Sequence, residues 1–209
     1  LNVRKLLFMY QERNMLSSYT LYSGGAEGSD TMWDLIGRAY GLKTAIHYYH
    51  NRITPIGNTP ITEEQYWRGV RAVNKAQKTL MRFGYDKYLS LLARNWMQVE
   101  SSTAVFAIAD GFIKTPKGEE VVNGGTGWAV QMAIDAGKPC FVFIQQSDKW
   151  MSYHTIMNKW RNLDSVPFLH KKFAGIGTRN LKPNGIKAII DIYDKATEEL
   201  TLFDFNKIQ

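Results

Sequence analysis

Cysteine is almost absent from this sequence, since Cys140 is the single one among 209 residues. One cysteine excludes an internal disulfide framework and any zinc site that needs several cysteines. A chain without disulfides suits the reducing cytoplasm, where we expect the protein to reside. Long apolar runs are missing as well, because no segment approaches the ~18 apolar residues of a transmembrane helix. We therefore expect no membrane partner.

Several catalytic motifs are also missing from the chain. It contains no Walker phosphate loop and no G-x-S-x-G nucleophile elbow. His47 and His50 are three residues apart, but no third ligand is close in sequence, so we expect neither a metal nor another cofactor. Cys140 lies in a buried-strand pattern without a paired histidine, which argues against a nucleophilic role.

Acidic residues are outnumbered: 19 Asp and Glu against 26 Lys and Arg give a formal net charge of +7. Such an excess favours anionic partners such as nucleotides, nucleic acids or phosphates. Hydrophobic residues make up 44% of the chain, which is typical of a globular protein rather than a disordered one. The length predicts one domain, residues 1–209.

A strand-like run, a glycine-rich loop and a helical pattern follow one another three times. The loops are residues 23–30, 123–127 and 177–180. Near-continuous apolar runs, such as 104–109 and 140–144, are typical of parallel strands covered on both faces. The alternation predicts an α/β fold, a Rossmann-like three-layer sandwich with a mainly parallel sheet.

Two other regions depart from this repeat. Helical patterns at 62–83 and 86–100 predict a helical insertion at about residues 50–100. Residues 145–171 are aromatic and basic without a clear period, so we predict an irregular connection there.

Each glycine loop leaves a predicted strand and enters a predicted helix. In a doubly wound sheet, ligands bind in the crevice beyond the carboxyl ends of the strands. Helix N-termini favour anions, and glycine lets the backbone approach a phosphate, although each glycine could also serve only a tight turn. The candidate ligand-binding residues in the loops are Ser23, Gly24, Gly25, Ala26, Glu27, Ser29, Asp30, Gly124, Gly125, Thr126, Gly127, Gly177 and Thr178.

Arg94 and Arg179 are the candidate phosphate ligands, because a guanidinium can hold a phosphate in a bidentate fork. A solvated helix charge is the alternative for Arg94. Asn95 and Asn180 beside them could donate to sugar or phosphate oxygens. Asp30 could bind ribose hydroxyls or cap its helix, and the cap is the favoured interpretation.

These motifs resemble those of the SLOG superfamily, the Rossmann-like group that includes the Lonely Guy phosphoribohydrolases and the DNA-processing A proteins. Residues 23–30 are similar to its GGAxGxD loop, and residues 123–127 to its second glycine loop. Arg94-Asn95 followed by Met97 resembles its RN-x-x-M helix, and residues 177–179 its G-S/T-R turn. The resemblance spans about residues 19–196 and implies a nucleotide-derived ligand.

Two departures from the family pattern bear on fold and activity. The G-S/T-R turn normally comes first, so its place here implies a circular permutation in which the last strand takes the position of the first. Lonely Guy enzymes carry PGGxGTxxE, and the glutamate position is Gln131 here. Glutamine cannot act as a general base, so we expect no phosphoribohydrolase of that type. Trp128, at the threonine position, either stacks on a base or packs in the core.

The predicted helix 62–83 carries a basic stripe, with spacings of 3, 4, 3 and 4 residues. The stripe could grip a nucleic-acid backbone, it could be the hydrated face of an amphipathic helix, or it could wall the ligand crevice. Its members are Arg68, Arg71, Lys75, Lys78 and Arg82.

The resemblance implies a sensor or a sequestering protein for a cyclic nucleotide or an ADP-ribose-like signal, in bacterial antiviral defence or phage counter-defence. It also implies a homodimer or a higher homo-oligomer. One alternative is an enzyme, an N-glycoside hydrolase similar to the phosphoribohydrolases or a phosphodiester hydrolase, that uses Glu27 or Asp30. Another is a module that binds single-stranded nucleic acid.

Overall fold

The computed structural model describes residues 15–49 and 57–205, with side chains to residue 200. The strands are β1 (Thr20–Ser23), β2 (Thr44–Tyr49), β3 (Thr59–Pro60), β4 (Ala104–Ala109), β5 (Phe112–Lys114), β6 (Glu120–Val122), β7 (Cys140–Ile144), β8 (Lys149–His154), β9 (Lys159–Asn162) and β10 (Lys172–Gly177). The helices are α1 (Ser29–Ala39), α2 (Glu63–Leu80), α3 (Leu89–Ser101), α4 (Thr126–Asp135) and α5 (Pro183–Phe205), and a 3-10 turn spans Asp86–Tyr88.

Eight strands form the central sheet, in the order β3-β2-β1-β10-β4-β7-β8-β9. The strands from β3 to β7 in this order pair parallel. β8 pairs antiparallel with β7, and β9 pairs antiparallel with β8. The last strand of the chain, β10, lies in the middle of the sheet, where Ala174 is opposite both Tyr22 of β1 and Val105 of β4. The predicted α/β fold with a mainly parallel sheet is confirmed.

Every residue of β4 is buried, because helices cover both faces of the sheet. Val105, Ala107 and Ala109 point to the core shared with α2, α3 and α4. The alternate residues Phe106 and Ile108 point to the opposite core, which α1 and α5 cover. A strand with apolar neighbours on both faces has no reason to alternate with polar residues, which explains its continuous apolar sequence.

Trp33 joins three elements in the core on the α1 and α5 side. Its indole Nε1 donates to the carbonyl of Ile176 in β10 at 3.2 Å, and the Tyr193 hydroxyl of α5 donates to the Trp33 carbonyl at 2.8 Å. Ile36 and Tyr40 pack against the same core, as the helical spacing predicts. α1 therefore has a fixed position above β10.

The segment 145–171 is not the predicted irregular connection, because it holds β8 and β9, which extend the sheet beyond β7. Trp150 is buried in one core, while Met151 beside it packs against the other. Apolar residues on both faces remove the polar alternation that marks a half-buried strand, so the sequence shows no period.

The described part of the region predicted as a helical insertion holds α2 and α3, which lie between β3 and β4. α2 ends at Leu80, earlier than predicted, because Met81 takes a left-handed conformation with φ 52°. α3 begins at Leu89, after the 3-10 turn. Residues 50–56 of the insertion, including His50, lie outside the described residues. In the described part of the chain, no helix has the length and apolarity needed to cross a membrane.

Lys138 closes the carboxyl end of α3. Its ammonium donates to the carbonyls of Val99, Glu100 and Ser102. Lys138→Met removes this cap, and we expect the free energy of unfolding to fall by about 1–3 kcal/mol, since a charged donor to three carbonyls at the helix end is lost. Urea denaturation measures the change, with the exposed Lys117→Met as the charge-matched control. Equal effects of the two variants would contradict the cap.

Candidate functional site

The three glycine loops surround one cavity of about 730 Å³ beyond the carboxyl ends of β4 and β10. This volume lies within the range of about 300–1,000 Å³ that is usual for small-molecule sites. The predicted residues that line the cavity are Ala26, Asp30, Arg94, Asn95, Gly124, Gly125, Thr126, Trp128, Gly177, Thr178 and Arg179. The predicted residues outside the lining are Ser23, Gly24, Gly25, Glu27, Ser29, Gly127 and Asn180.

Asp30 joins the first and third loops at the base of this cavity. Its Oδ2 accepts from the N–H of Gly24, and its Oδ1 accepts from the N–H of Gly177, both at 3.1 Å. The prediction that Asp30 caps its own helix is wrong, because the N-cap of α1 is Gly28 and the carboxylate reaches across to two strand ends instead. The two loops are therefore locked together by one side chain.

Burial raises the pKa of Asp30 to about 6. Hydrogen bonds from the N–H groups of Ala26, Gly24 and Gly177 and the positive charge of Arg94 oppose this shift, but desolvation is the larger effect. The carboxyl group of Asp30, at the base of the cavity, therefore changes its charge near pH 6.

Arg94 and Gln98 lie four residues apart on α3, so both point to the same side of the helix. Atoms of Arg94, Gln98 and Asp30 all lie within 2.9 Å of the position that a Cβ would take at Gly24. Gln98 is only 1% exposed, yet its Oε1 has no partner among the described residues, and neither does the buried Nε of Arg94. Both side chains line the cavity and retain unused hydrogen-bonding capacity.

Burial lowers the pKa of Arg94, although the nearby charge of Asp30 partly restores it. The guanidinium is therefore partly withdrawn from water, which differs from the solvated helix charge considered as its alternative. A cation held in a polar cavity beside unpaired groups is suited to binding an anion.

The third loop packs directly on the start of α1. The Thr178 carbonyl accepts from the backbone N–H of Ser29 at 3.1 Å and from its hydroxyl at 2.8 Å. The backbone N–H groups of Ser29 and Gly24 in the first loop are therefore already used by protein acceptors. Arg179 is exposed, and within the described residues its side chain has no hydrogen bond or ion pair.

Arg82 holds the second glycine loop. Its guanidinium donates to the carbonyls of Val122 and Gly124, each at 2.6 Å, and its backbone N–H donates to the Gln77 side chain at 3.1 Å. Arg82 was predicted as part of a basic stripe on a helix, but α2 has already ended at Leu80. The side chain therefore fixes a loop rather than presenting a charge to solvent.

Two other members of the basic stripe also make internal contacts. Arg68 forms ion pairs with Glu64 and Glu100, and Lys75 donates to the Asp135 carbonyl at the end of α4. These contacts tie α2 to α3 and α4. Arg71, Lys75 and Lys78 are the exposed members of the stripe.

The predicted residues outside the lining have structural contacts instead. The Ser23 hydroxyl accepts from the Gly25 N–H, and the Asn180 carbonyl accepts from Gln145. Glu27 is exposed and does not line the cavity, so its carboxylate is not positioned to act as the substitute acid on a molecule bound there. Gly127 is buried against the Val122 carbonyl.

Trp128 is mainly a core residue. It is buried among the residues of α4 and β4, and its ring lies 5.1 Å from that of Tyr85. Gln131, at the position of the Lonely Guy glutamate, is buried and donates to Asp135 rather than lining the cavity. Trp128 also lines the cavity.

Several residues of the cavity wall were missed from the sequence. Asp110 follows β4 directly and accepts hydrogen bonds from Gln145 and Thr178. An acidic residue at the end of a buried central strand was a usable signal for this position. The other missed polar and large apolar wall residues are Phe83, Tyr88, Leu91, Leu92, Gln98, Ile113, Asn123 and Ile176.

His47 pairs with Asp34 at 3.1 Å and does not line the cavity. Within residues 15–49 and 57–205, no group of three or more His, Cys, Asp or Glu side chains is arranged to hold a metal ion. Cys140 is buried in β7, and burial raises the pKa of its thiol to about 12.

Comparison of the chain with protein-family models, with curated proteins and with solved structures finds no match in any of the three. The functional proposal therefore depends on the geometry of the cavity and on the motifs in the sequence.

Proposed function

We propose that the cavity binds a phosphorylated, nucleotide-derived small molecule, and that the protein senses or sequesters it. The observation that carries this proposal is the convergence of Arg94, Arg179 and the three glycine loops on one cavity of about 730 Å³. Guanidinium groups and loop N–H groups are the usual ligands of phosphate in proteins. The apolar part of the same wall suits a base.

Binding without turnover is favoured by the position of the carboxylates. Gln131 replaces the glutamate of the Lonely Guy motif and is turned away from the cavity by its bond to Asp135. Glu27 is exposed outside the cavity. Both oxygens of Asp30 already accept backbone N–H groups, which suits a structural role.

The position of β10 supports a further part of the proposal, membership in a circularly permuted SLOG group. β10 carries the Gly177-Thr178-Arg179 turn and lies between β1 and β4, the central place that a permuted first strand would take. From this resemblance we extend the ligand class to cyclic or ADP-ribose-like signals of bacterial antiviral defence or phage counter-defence. The same resemblance supports a homo-oligomer.

Arg179→Ala tests the phosphate site with little risk to the fold, since the side chain is exposed. We expect at least a tenfold loss of affinity for the bound nucleotide, because a charge-assisted contact to a phosphate contributes about 1.5–3 kcal/mol. The measurement is native mass spectrometry with NAD, ADP-ribose and its cyclic forms, cyclic di- and trinucleotides, AMP and a short single strand. Arg71→Ala, which removes an exposed charge outside the cavity wall, is the control. Unchanged affinity of Arg179→Ala for every nucleotide bound would refute the phosphate site.

A hydrolase is the second candidate, and the pKa of Asp30 is the observation that favours it. A carboxyl group with a pKa of about 6 is suited to general acid–base catalysis at neutral pH. In the same mass spectra, loss of a base or of ribose phosphate from the ligand would indicate turnover. Abolition of that loss in Asp30→Asn, with ligand binding retained, would assign the reaction to this residue.

A further inference from the structure

Large apolar side chains are exposed around the mouth of the cavity. Phe83 is 91% exposed and Tyr88 is 52% exposed, and Leu91 and Ile113 beside them are also exposed. All four line the cavity that the glycine loops surround. An apolar cluster that borders a polar cavity is typical of a binding surface. We call these four residues the apolar rim.

The rim is held in place by the second glycine loop. Arg82, next to Phe83, donates to the carbonyls of Val122 and Gly124. Tyr85 packs its ring against Trp128 of α4 at 5.1 Å. The linker between α2 and α3, which carries Phe83 and Tyr88, is thus anchored at two points.

The polar part of the wall offers few uncommitted positive charges. Arg82 is engaged with two carbonyls. Lys182 lies outside the cavity lining and pairs with Asp110 of the wall at 3.7 Å. Arg94 and Arg179 remain, and they share the wall with the carboxylates of Asp30 and Asp110. Each additional phosphate would bring negative charge towards Asp30 and Asp110, while the described lining supplies no third uncommitted cation to bind it.

We infer that the ligand is a nucleotide with one or two phosphate charges, whose base lies against the apolar rim while its phosphate contacts Arg94 and Arg179. This inference rests on the proposed function and names the ligand class for the same cavity. Base stacking on the rim supplies affinity that is independent of the phosphate contacts. A longer phosphate chain adds repulsion instead of affinity.

The test compares AMP, ribose 5-phosphate and ATP by calorimetry, together with whichever nucleotides the mass spectra show to bind. The variants are Phe83→Ala combined with Tyr88→Ala, and Phe168→Ala as an exposed aromatic control outside the cavity wall. We expect the double variant to bind AMP about tenfold more weakly and ribose 5-phosphate unchanged, because stacking on an aromatic residue is lost only for the base. We expect ATP to bind the unmodified protein no more tightly than AMP.

Each outcome separates the two proposals. If the unmodified protein binds no nucleotide at all, the proposed function fails and this inference fails with it. If a nucleotide binds and the double variant retains its affinity, or loses affinity for ribose 5-phosphate equally, the rim does not bind the base and only this inference fails. ATP binding tenfold tighter than AMP would overturn the limit on phosphate charge.

Discussion

Gly28→Ala is expected to lower the free energy of unfolding by about 3–5 kcal/mol and to disrupt the ligand cavity. Gly28 has φ 91° and ψ −125°, a conformation that side chains other than glycine rarely adopt. A Cβ there would lie 2.6 Å from both Cα and the carbonyl oxygen of Arg179, and 2.7 Å from the carbonyl oxygen of Thr178. These are backbone atoms, so the clash can be relieved only by moving the third loop.

Gly118→Ala separates the two causes of this effect. Gly118 also has a positive φ, 83°, but nothing lies within 4 Å of its added Cβ. We therefore expect a loss of about 1–2 kcal/mol from backbone strain alone. Denaturant unfolding of both variants gives the difference, and nucleotide titration shows whether Arg179 has been displaced. Equal losses in the two variants would show that Gly28 does not support the third loop.

The second large effect is the pH dependence that Asp30 imposes on stability. Its pKa rises from 3.8 to about 6 in the folded protein, so the folded state binds a proton more tightly than the unfolded state. The stabilisation that the protonated Asp30 contributes is fully present below about pH 4 and is lost as the pH rises through about 6. The loss approaches about 3 kcal/mol, since each pKa unit corresponds to about 1.4 kcal/mol.

Asp30→Asn removes this titration while keeping the size of the side chain. Between pH 4 and pH 7, the unmodified protein should lose up to about 3 kcal/mol of unfolding free energy relative to the variant. Urea denaturation at several pH values measures it, and Asp164→Asn, which removes an exposed carboxyl group, controls for the change in net charge. A difference that stays constant with pH would contradict the raised pKa.

The features that the sequence predicted correctly depend on short stretches of chain. The first glycine loop, residues 23–30, does lead from β1 into α1. The six consecutive apolar residues of β4 identified a strand covered on both faces. Backbone conformation and burial of this kind are set by each residue and its near neighbours, so composition and period are enough to predict them.

The errors arose where a side chain contacts a distant part of the chain. Asp30 looked like a helix cap, but its carboxylate accepts from Gly177, 147 residues later. Arg82 looked like one member of a solvated stripe, but it binds carbonyls about 40 residues away. No local pattern records either partner, because both partners are ordinary backbone groups.

The sequence by itself therefore determined the α/β class, the alternating elements, the three glycine loops and the two arginines that face their cavity. Only the tertiary structure showed that β10 pairs with both β1 and β4 and that Asp30 locks two loops together. It also brought the four residues of the apolar rim to the mouth of one cavity. The physical reason is that buried apolar strands can exchange neighbours without changing their sequence pattern. The order of the strands is set by how all the elements pack, and that order brings the distant residues of the cavity together.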